Sequence, residues 1–108
     1  MEGGLLCYGS SQTVVPKEDQ ERISVYLSYV NNRLIAGNFE YDIDNGQVRY
    51  KVFQYCDSAL TEDTIMHMLS VVLTMIGQYT PGLQELISDK NLHAKDAYVK
   101  FSQTGSGK

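Results

Sequence analysis

His67 follows Asp63 by four residues, and on a helix that spacing sets a carboxylate and an imidazole on one face. Such a pair could hold a general base. A base needs a nucleophile to work on, and no serine or cysteine stands in a nucleophile-elbow context. The pair therefore reads as an ordinary exposed contact along a helix edge. Cys7, Cys56, His67 and His93 are zinc-ligand types, but their separations match none of the paired spacings of zinc sites. Asp42, Asp44 and Asn45 beside Gly46 suggest a calcium loop. That loop needs oxygens at alternate positions and a closing glutamate, whereas these acids alternate with apolar residues as on a strand. Gly3-Gly4 and Gly105-Ser106-Gly107-Lys108 lack the strand before and the helix after that a phosphate loop requires. No catalytic residue, cofactor site or metal set emerges, and the expectation is a protein that is not an enzyme.

The elements that would position any site have to fit one small domain, since 108 residues supply one core. Hydrophobic residues make up 43% and charged residues 20%, a globular balance. A net charge of −4, with scattered Lys and Arg, argues against nucleic acid and against an anionic membrane surface. Two cysteines are too few for a disulfide framework and read as reduced thiols in a cytoplasmic protein. Met1-Glu2-Gly3-Gly4 lacks the basic and apolar regions of a signal peptide. The apolar stretch around Val71-Val72-Leu73 is interrupted by Ser70, Thr74, Gly77 and Gln78, too short for a membrane span. The eight tyrosines suit half-buried sheet faces and interfaces.

Leu5-Leu6-Cys7-Tyr8 reads as a short strand that Gly9-Ser10-Ser11-Gln12-Thr13 ends. Pro16 suits a helix start, Glu18, Asp19 and Glu21 suit its first turns, and Ile23, Tyr26, Leu27, Val30 and Leu34 form one face. The spacing predicts a helix over about 17–35, weakened by Asn31-Asn32 and ended by Gly37 in a left-handed cap. Phe39–Asp44 and Gln47–Val52 alternate strictly around Asn45-Gly46, the favoured pair for a two-residue type I′ turn. Folding about that turn sets Ile43 against Val48, Tyr41 against Tyr50 and Phe39 against Val52 on one face. Asp42 then meets Arg49 and Glu40 meets Lys51 on the other.

Thr61 is a good N-cap, two acids follow it, and Leu60 and Ile65 have the spacing of a hydrophobic staple. The helix at about 62–78 is apolar most of the way round, and Tyr79-Thr80-Pro81-Gly82 is expected to break it. A short turn at Leu83, Leu86 and Ile87 follows. Ala94, Ala97, Tyr98 and Phe101 line a marginal last helix, and residues 103–108 have the composition of a disordered tail after a single domain at 1–102.

The chain resembles the YbjN family, the bacterial sensory transduction regulators. The resemblance rests on Val15-Pro16-Lys17-Glu18, Asn31, Gly37-Asn38-Phe39-Glu40 and Asp42. It continues through Gly46-Gln47-Val48-Arg49-Tyr50-Lys51, Leu60-Thr61 and Gln78-Tyr79-Thr80-Pro81-Gly82-Leu83, so it covers about 5–90. It implies an α+β fold similar to type III secretion chaperones: an antiparallel sheet with helices packed on it, in the order β-α-β-β-α-α, often dimeric. Members of that family are treated as regulators or chaperone-like binders, with no catalytic residues to carry over. They usually have a helix and a strand pair ahead of the point where this chain starts, so Leu5–Tyr8 would be the third strand of that sheet. A missing front segment, whether the chain is a fragment or a naturally short version, would leave a sheet edge open to a partner.

The expected function is protein–protein contact, with a homodimer as the working unit and neither nucleic acid nor membrane as partner. Leu5, Tyr8, Met66, Met68, Val72 and Met75 are the contact candidates. The alternative is a small-ligand pocket between sheet and second helix, with Tyr41, Tyr50 and Tyr55 as its polar ends.

Overall fold

A computed structural model describes residues 3–56 and 61–104. The elements run β1 (Gly3–Val14), a 3₁₀ turn (Lys17–Asp19), α1 (Gln20–Arg33), β2 (Asn38–Asp42), β3 (Gln47–Cys56), α2 (Glu62–Ser88) and α3 (Ala94–Thr104). The α+β class and the order β-α-β-β-α-α are as expected, and the three strands form one antiparallel sheet in the order β1-β3-β2.

Alternation decides which sheet face is dry. Phe39, Val48, Tyr50 and Val52 turn inward and are buried, with Leu5, Cys7 and Tyr41 packed beside them. α1 covers them with Ile23, Tyr26, Leu27 and Val30, the one-face spacing read from the sequence. α2 adds Met68, Val72, Tyr79, Leu83 and Leu86, and α3 adds Ala94 and Ala97. At the centre the Phe39 ring meets Tyr50 edge-on at 5.1 Å and Tyr79 at 5.7 Å. Buried hydroxyls need partners. That of Tyr26 donates to the Tyr79 carbonyl at 2.9 Å, and that of Tyr50 to the Ala36 carbonyl at 2.7 Å.

The hairpin keeps its faces but not its predicted register. Tyr41 pairs with Val48 and Phe39 with Tyr50, two residues away from the two-residue-turn arrangement. The connection is a four-residue loop, Ile43–Gly46, and Ile43 is left exposed. The Asp42 side chain is the reason. Its carboxylate accepts the Asp44 and Asn45 backbone N–H groups and the Asn45 side-chain amide, while the Gly46 N–H returns to the Asp42 carbonyl at 2.7 Å. Of the loop residues only Gly46 has positive φ (71°), so the double left-handed requirement of a type I′ turn is unmet. A shift of two residues preserves alternation, which is why the buried set survives. Glu40 lies opposite Arg49 and reaches Lys51 diagonally, forming ion pairs with both.

Three further expectations are corrected. β1 does not end at Tyr8 but runs to Val14, pairing with β3 throughout apart from an irregularity between Ser10 and Val14. There the Ser10 and Ser11 hydroxyls accept the N–H groups of Gln12 and Thr13, and Gln12 takes φ 64°. The Val15 N–H then bonds the Gly46 carbonyl, fixing the strand end to the hairpin loop. α1 closes at Leu34 rather than at Gly37, whose positive φ (73°) instead brings its backbone against the Tyr50 hydroxyl. α2 continues through Pro81 to Ser88 as one helix of 27 residues. The Thr61 cap forms as expected, accepting the Thr64 N–H, while Leu60 and residues 105–108 lie outside the described residues.

Candidate functional site: an uncharged strand edge and an apolar helix flank

Among the described residues β1 pairs with β3 alone, so it is an edge strand of the described sheet. Its sequence, Gly3-Gly-Leu-Leu-Cys-Tyr-Gly-Ser-Ser-Gln-Thr-Val14, contains no charge and no proline. Edge strands are ordinarily protected by both, because their free N–H and C=O groups can pair with another chain. The irregularity after Ser10 interrupts that edge, and it leaves Gly3–Ser10 regular.

α2 lies over this strand. A Cβ on Gly9 would stand 2.4 Å from Val72 and from Ile76, so the helix sits directly on the strand backbone there. One flank of α2, with Val71 and Met75, faces Arg33–Ala36 at the end of α1 and Tyr50 on the sheet across a cleft of about 390 Å³. Ile65, Leu69 and Leu73, spaced by four, and Met66 beside them fall on the opposite flank. That flank points away from α1, over the free side of β1. All four side chains are exposed, Leu73 at 71% and Met66 at 59%.

A second apolar area covers the outer face of the sheet. Leu6 pairs directly with Phe53, Tyr8 and Tyr55 flank them on the same face, and all four are about half exposed. The Arg49 guanidinium lies 5.2 Å from the centre of the Tyr8 ring. Beyond it Glu40 joins Arg49 and Lys51, and its carboxyl is held below the ordinary range chiefly by the Lys51 hydrogen bond.

Of the expected contact residues, Met66 is on the exposed flank of α2 and Tyr8 on the outer sheet face. Leu5 is half-buried beneath the helices, Met75 lines the cleft, and Met68 and Val72 are in the core, each 3% exposed. Leu69, Leu73, Leu6 and Phe53 were not singled out by sequence, Ile65 was read only as a staple residue and Tyr55 only as a pocket end. The signal for Ile65, Leu69 and Leu73 as a surface was their own i, i+4 repeat, offset from that of Met68, Val72, Tyr79 and Leu83. The tyrosines proposed as pocket ends are dispersed. Tyr50 lines the α2 cleft, its hydroxyl already bonded, Tyr41 lines a smaller hollow beside the hairpin loop, and Tyr55 is exposed on the outer face.

Asp63 and His67 are both exposed on α2. Among the described residues no three His, Cys, Asp or Glu side chains stand together as a metal site, and no helix is long and apolar enough to cross a membrane. Gly3, not Cys7, is the register partner of Cys56, so the two cysteines are four positions apart along the ladder, about 13 Å. A disulfide needs Cα atoms within about 7 Å, so these two cannot bridge within one chain as folded. The chain matches no protein-family profile, no curated protein and no solved structure.

Proposed function

We propose that this chain is a protein–protein contact module without catalytic activity, of the YbjN type and type III secretion chaperone-like, that works as a homodimer and offers binding surface to a client. The observation that carries the reading is the apolar surface left open beside an unprotected strand edge: Ile65, Met66, Leu69 and Leu73 on α2, next to β1. Patches of this kind mark interaction sites. The element order and the sheet with helices on one face are compatible with the family resemblance. The test is molar mass by light scattering across a dilution series. The expected result is a mass approaching twice the 12.1 kDa of one chain at high concentration. A constant single-chain mass at every concentration overturns the self-association.

The cleft between Tyr50, Arg33–Ala36 and α2 supports a second reading, a small-ligand site, because about 390 Å³ falls within the range of ligand pockets. A thermal-shift screen against metabolites tests it: a binder raises the midpoint with concentration.

A further inference from the structure

We infer that the cleft between α2, the end of α1 and Tyr50 takes a small amphiphilic monocarboxylate, its carboxylate on Arg33 and the Tyr79 hydroxyl and its short apolar tail along Leu34, Val71 and Met75. This rests on the small-ligand reading of that cleft given above and names the class of ligand.

Charge selects the head group. The chain has a net charge of −4, yet the one charged side chain lining the cleft is Arg33. Arg22, Arg49, Lys51, Lys90 and Lys100 each form an ion pair, whereas Arg33 has none among the described residues. It stands in the last turn of α1, where the helix dipole favours a cation, but that leaves its N–H donors unspent. A guanidinium with free donors beside an apolar wall matches a carboxylate, which it can hold through two parallel hydrogen bonds.

A second donor stands at the same cleft. Tyr79 lines it although only 2% exposed, and its hydroxyl has no hydrogen-bond partner among the described residues. The hydroxyls of Tyr26 and Tyr50, by contrast, are both bonded to carbonyls. Among the described residues only the Thr80 hydroxyl is both fully enclosed and unpaired, so that of Tyr79 still has open space in front of it. Burial raises the pKa of the Tyr79 hydroxyl against the pull of the nearby Arg33 guanidinium, so it stays protonated and can donate to an anion.

The wall is built in advance. The Tyr50 hydroxyl donates to the Ala36 carbonyl, and a Cβ on Gly37 would stand 2.2 Å from that hydroxyl, so the rim is held against the sheet. The Leu34 N–H bonds the Asn31 carbonyl, and the Asn31 side chain in turn bonds both backbone groups of Phe39. A site already ordered loses little entropy on binding. Leu34, Val71 and Met75 are half-buried and give a tail an apolar track. Ile35 is wholly exposed at the rim, where a bound tail would cover it. Volume limits that tail. At about 30 Å³ per non-hydrogen atom, the share of a water molecule in the liquid, the 390 Å³ holds a carboxylate and up to about ten carbons.

The test titrates octanoate, octanamide and octylamine into the full chain by calorimetry, each below its aggregation concentration. The expected result is binding of octanoate, with the amide and the amine weaker by about tenfold or more. Arg33 is exposed, so Arg33→Gln leaves the chain folded, which circular dichroism checks. It should weaken octanoate by about 10–100-fold and leave octanamide unchanged. Tyr79→Phe keeps the buried ring and should weaken octanoate by about 3–10-fold. Lys17→Gln, at another cation without an ion pair among the described residues, should change nothing. Octanamide binding as tightly as octanoate, or Arg33→Gln binding octanoate as tightly as the parent, overturns the carboxylate assignment and leaves a ligand cleft standing. Silence with all three compounds overturns it too, and silence in the metabolite screen as well overturns the cleft reading itself.

Discussion

Alanine at two glycines of α2 should move stability in opposite directions. A Cβ on Gly77 meets nothing within 4 Å, whereas on Gly82 it would stand 2.2 Å from the Tyr26 hydroxyl and 2.7 Å from the ring carbon bearing it. Tyr26 is fully buried and its hydroxyl is bonded to Tyr79, so the ring has nowhere to go. Helix propensity favours alanine over glycine by about 1 kcal/mol at either place. At Gly77, whose φ is not positive, nothing opposes that gain. The expected rise in melting temperature is about 4–8 °C. At Gly82 overpacking costs about 1–3 kcal/mol, and a displaced Tyr26 hydroxyl forfeits a further ~1 kcal/mol. The net loss is about 1–3 kcal/mol after the propensity gain is subtracted. Both variants are read by urea and thermal unfolding at one protein concentration, because the proposed self-association would shift apparent midpoints. A stabilised Gly82→Ala would refute the packing of Tyr26 on that turn. A destabilised Gly77→Ala would refute the open surroundings of Gly77.

Arg22→Met should lower stability by about 2–4 kcal/mol, since it strands the buried Asp19 carboxylate with Lys90 alone and frees the Leu86, Asp89 and Leu92 carbonyls. Arg22→Lys should recover less than half of that in a urea titration, because one ammonium cannot span four acceptors; full recovery would sink the argument. Stability should also fall in acid. Glu40 is held low first by Lys51, and Asp42 first by the Asn45 side-chain amide. Their folded pKa values lie below the unfolded ones, so the stabilisation is present above the ordinary carboxylate range of about 4 and fades as pH drops through the folded values. Glu40→Gln should therefore show a shallower loss of urea midpoint between about pH 5 and pH 3, and an unchanged slope would count against the ion-pair account.

Burial parity was legible from the chain because it depends only on alternation: Phe39, Tyr41, Val48, Tyr50 and Val52 are on the predicted face. Register was not, because it depends on the turn, and the Asp42 carboxylate organises a longer loop than Asn45-Gly46 alone implies. The helix through Pro81 escaped for an energetic reason. Proline inside a helix costs about 3 kcal/mol. Tyr79, Leu83 and Leu86 are buried at 0–2% exposure along the same helix, each contributing about 1.5–3 kcal/mol, so tertiary packing outweighs the local penalty. Asn31 was read as a weak point of α1, yet its side-chain amide bonds the Phe39 N–H and C=O, acting as a strand partner to β2. Its effect depends on a residue eight positions away, which a local propensity does not see. The exposed flank was half legible. An all-round apolar helix implied a partner, but choosing Met66 over Met68 required the phase of the helix, which Gly9 and the adjoining strand decide.

That phase also accounts for why one part of the molecule is closed and another open. The second half of α2 is held from several directions: Tyr26 bonds Tyr79, Gly82 receives the Tyr26 ring, and Arg22 ties α1 to the Leu86 carbonyl and to the segment before α3. The first half has the sheet beneath it, and its outer flank extends past the edge of β1. Polar residues there would cost the fold little, since Ile65, Leu69 and Leu73 are exposed and not needed to fill the core. Among the described residues no other element covers this flank, and its side chains stay exposed. The same holds for β1, where a lysine at any outward position would guard the edge without disturbing Leu5 or Cys7. Two separate elements carry the same omission, which is what the proposed self-association would require.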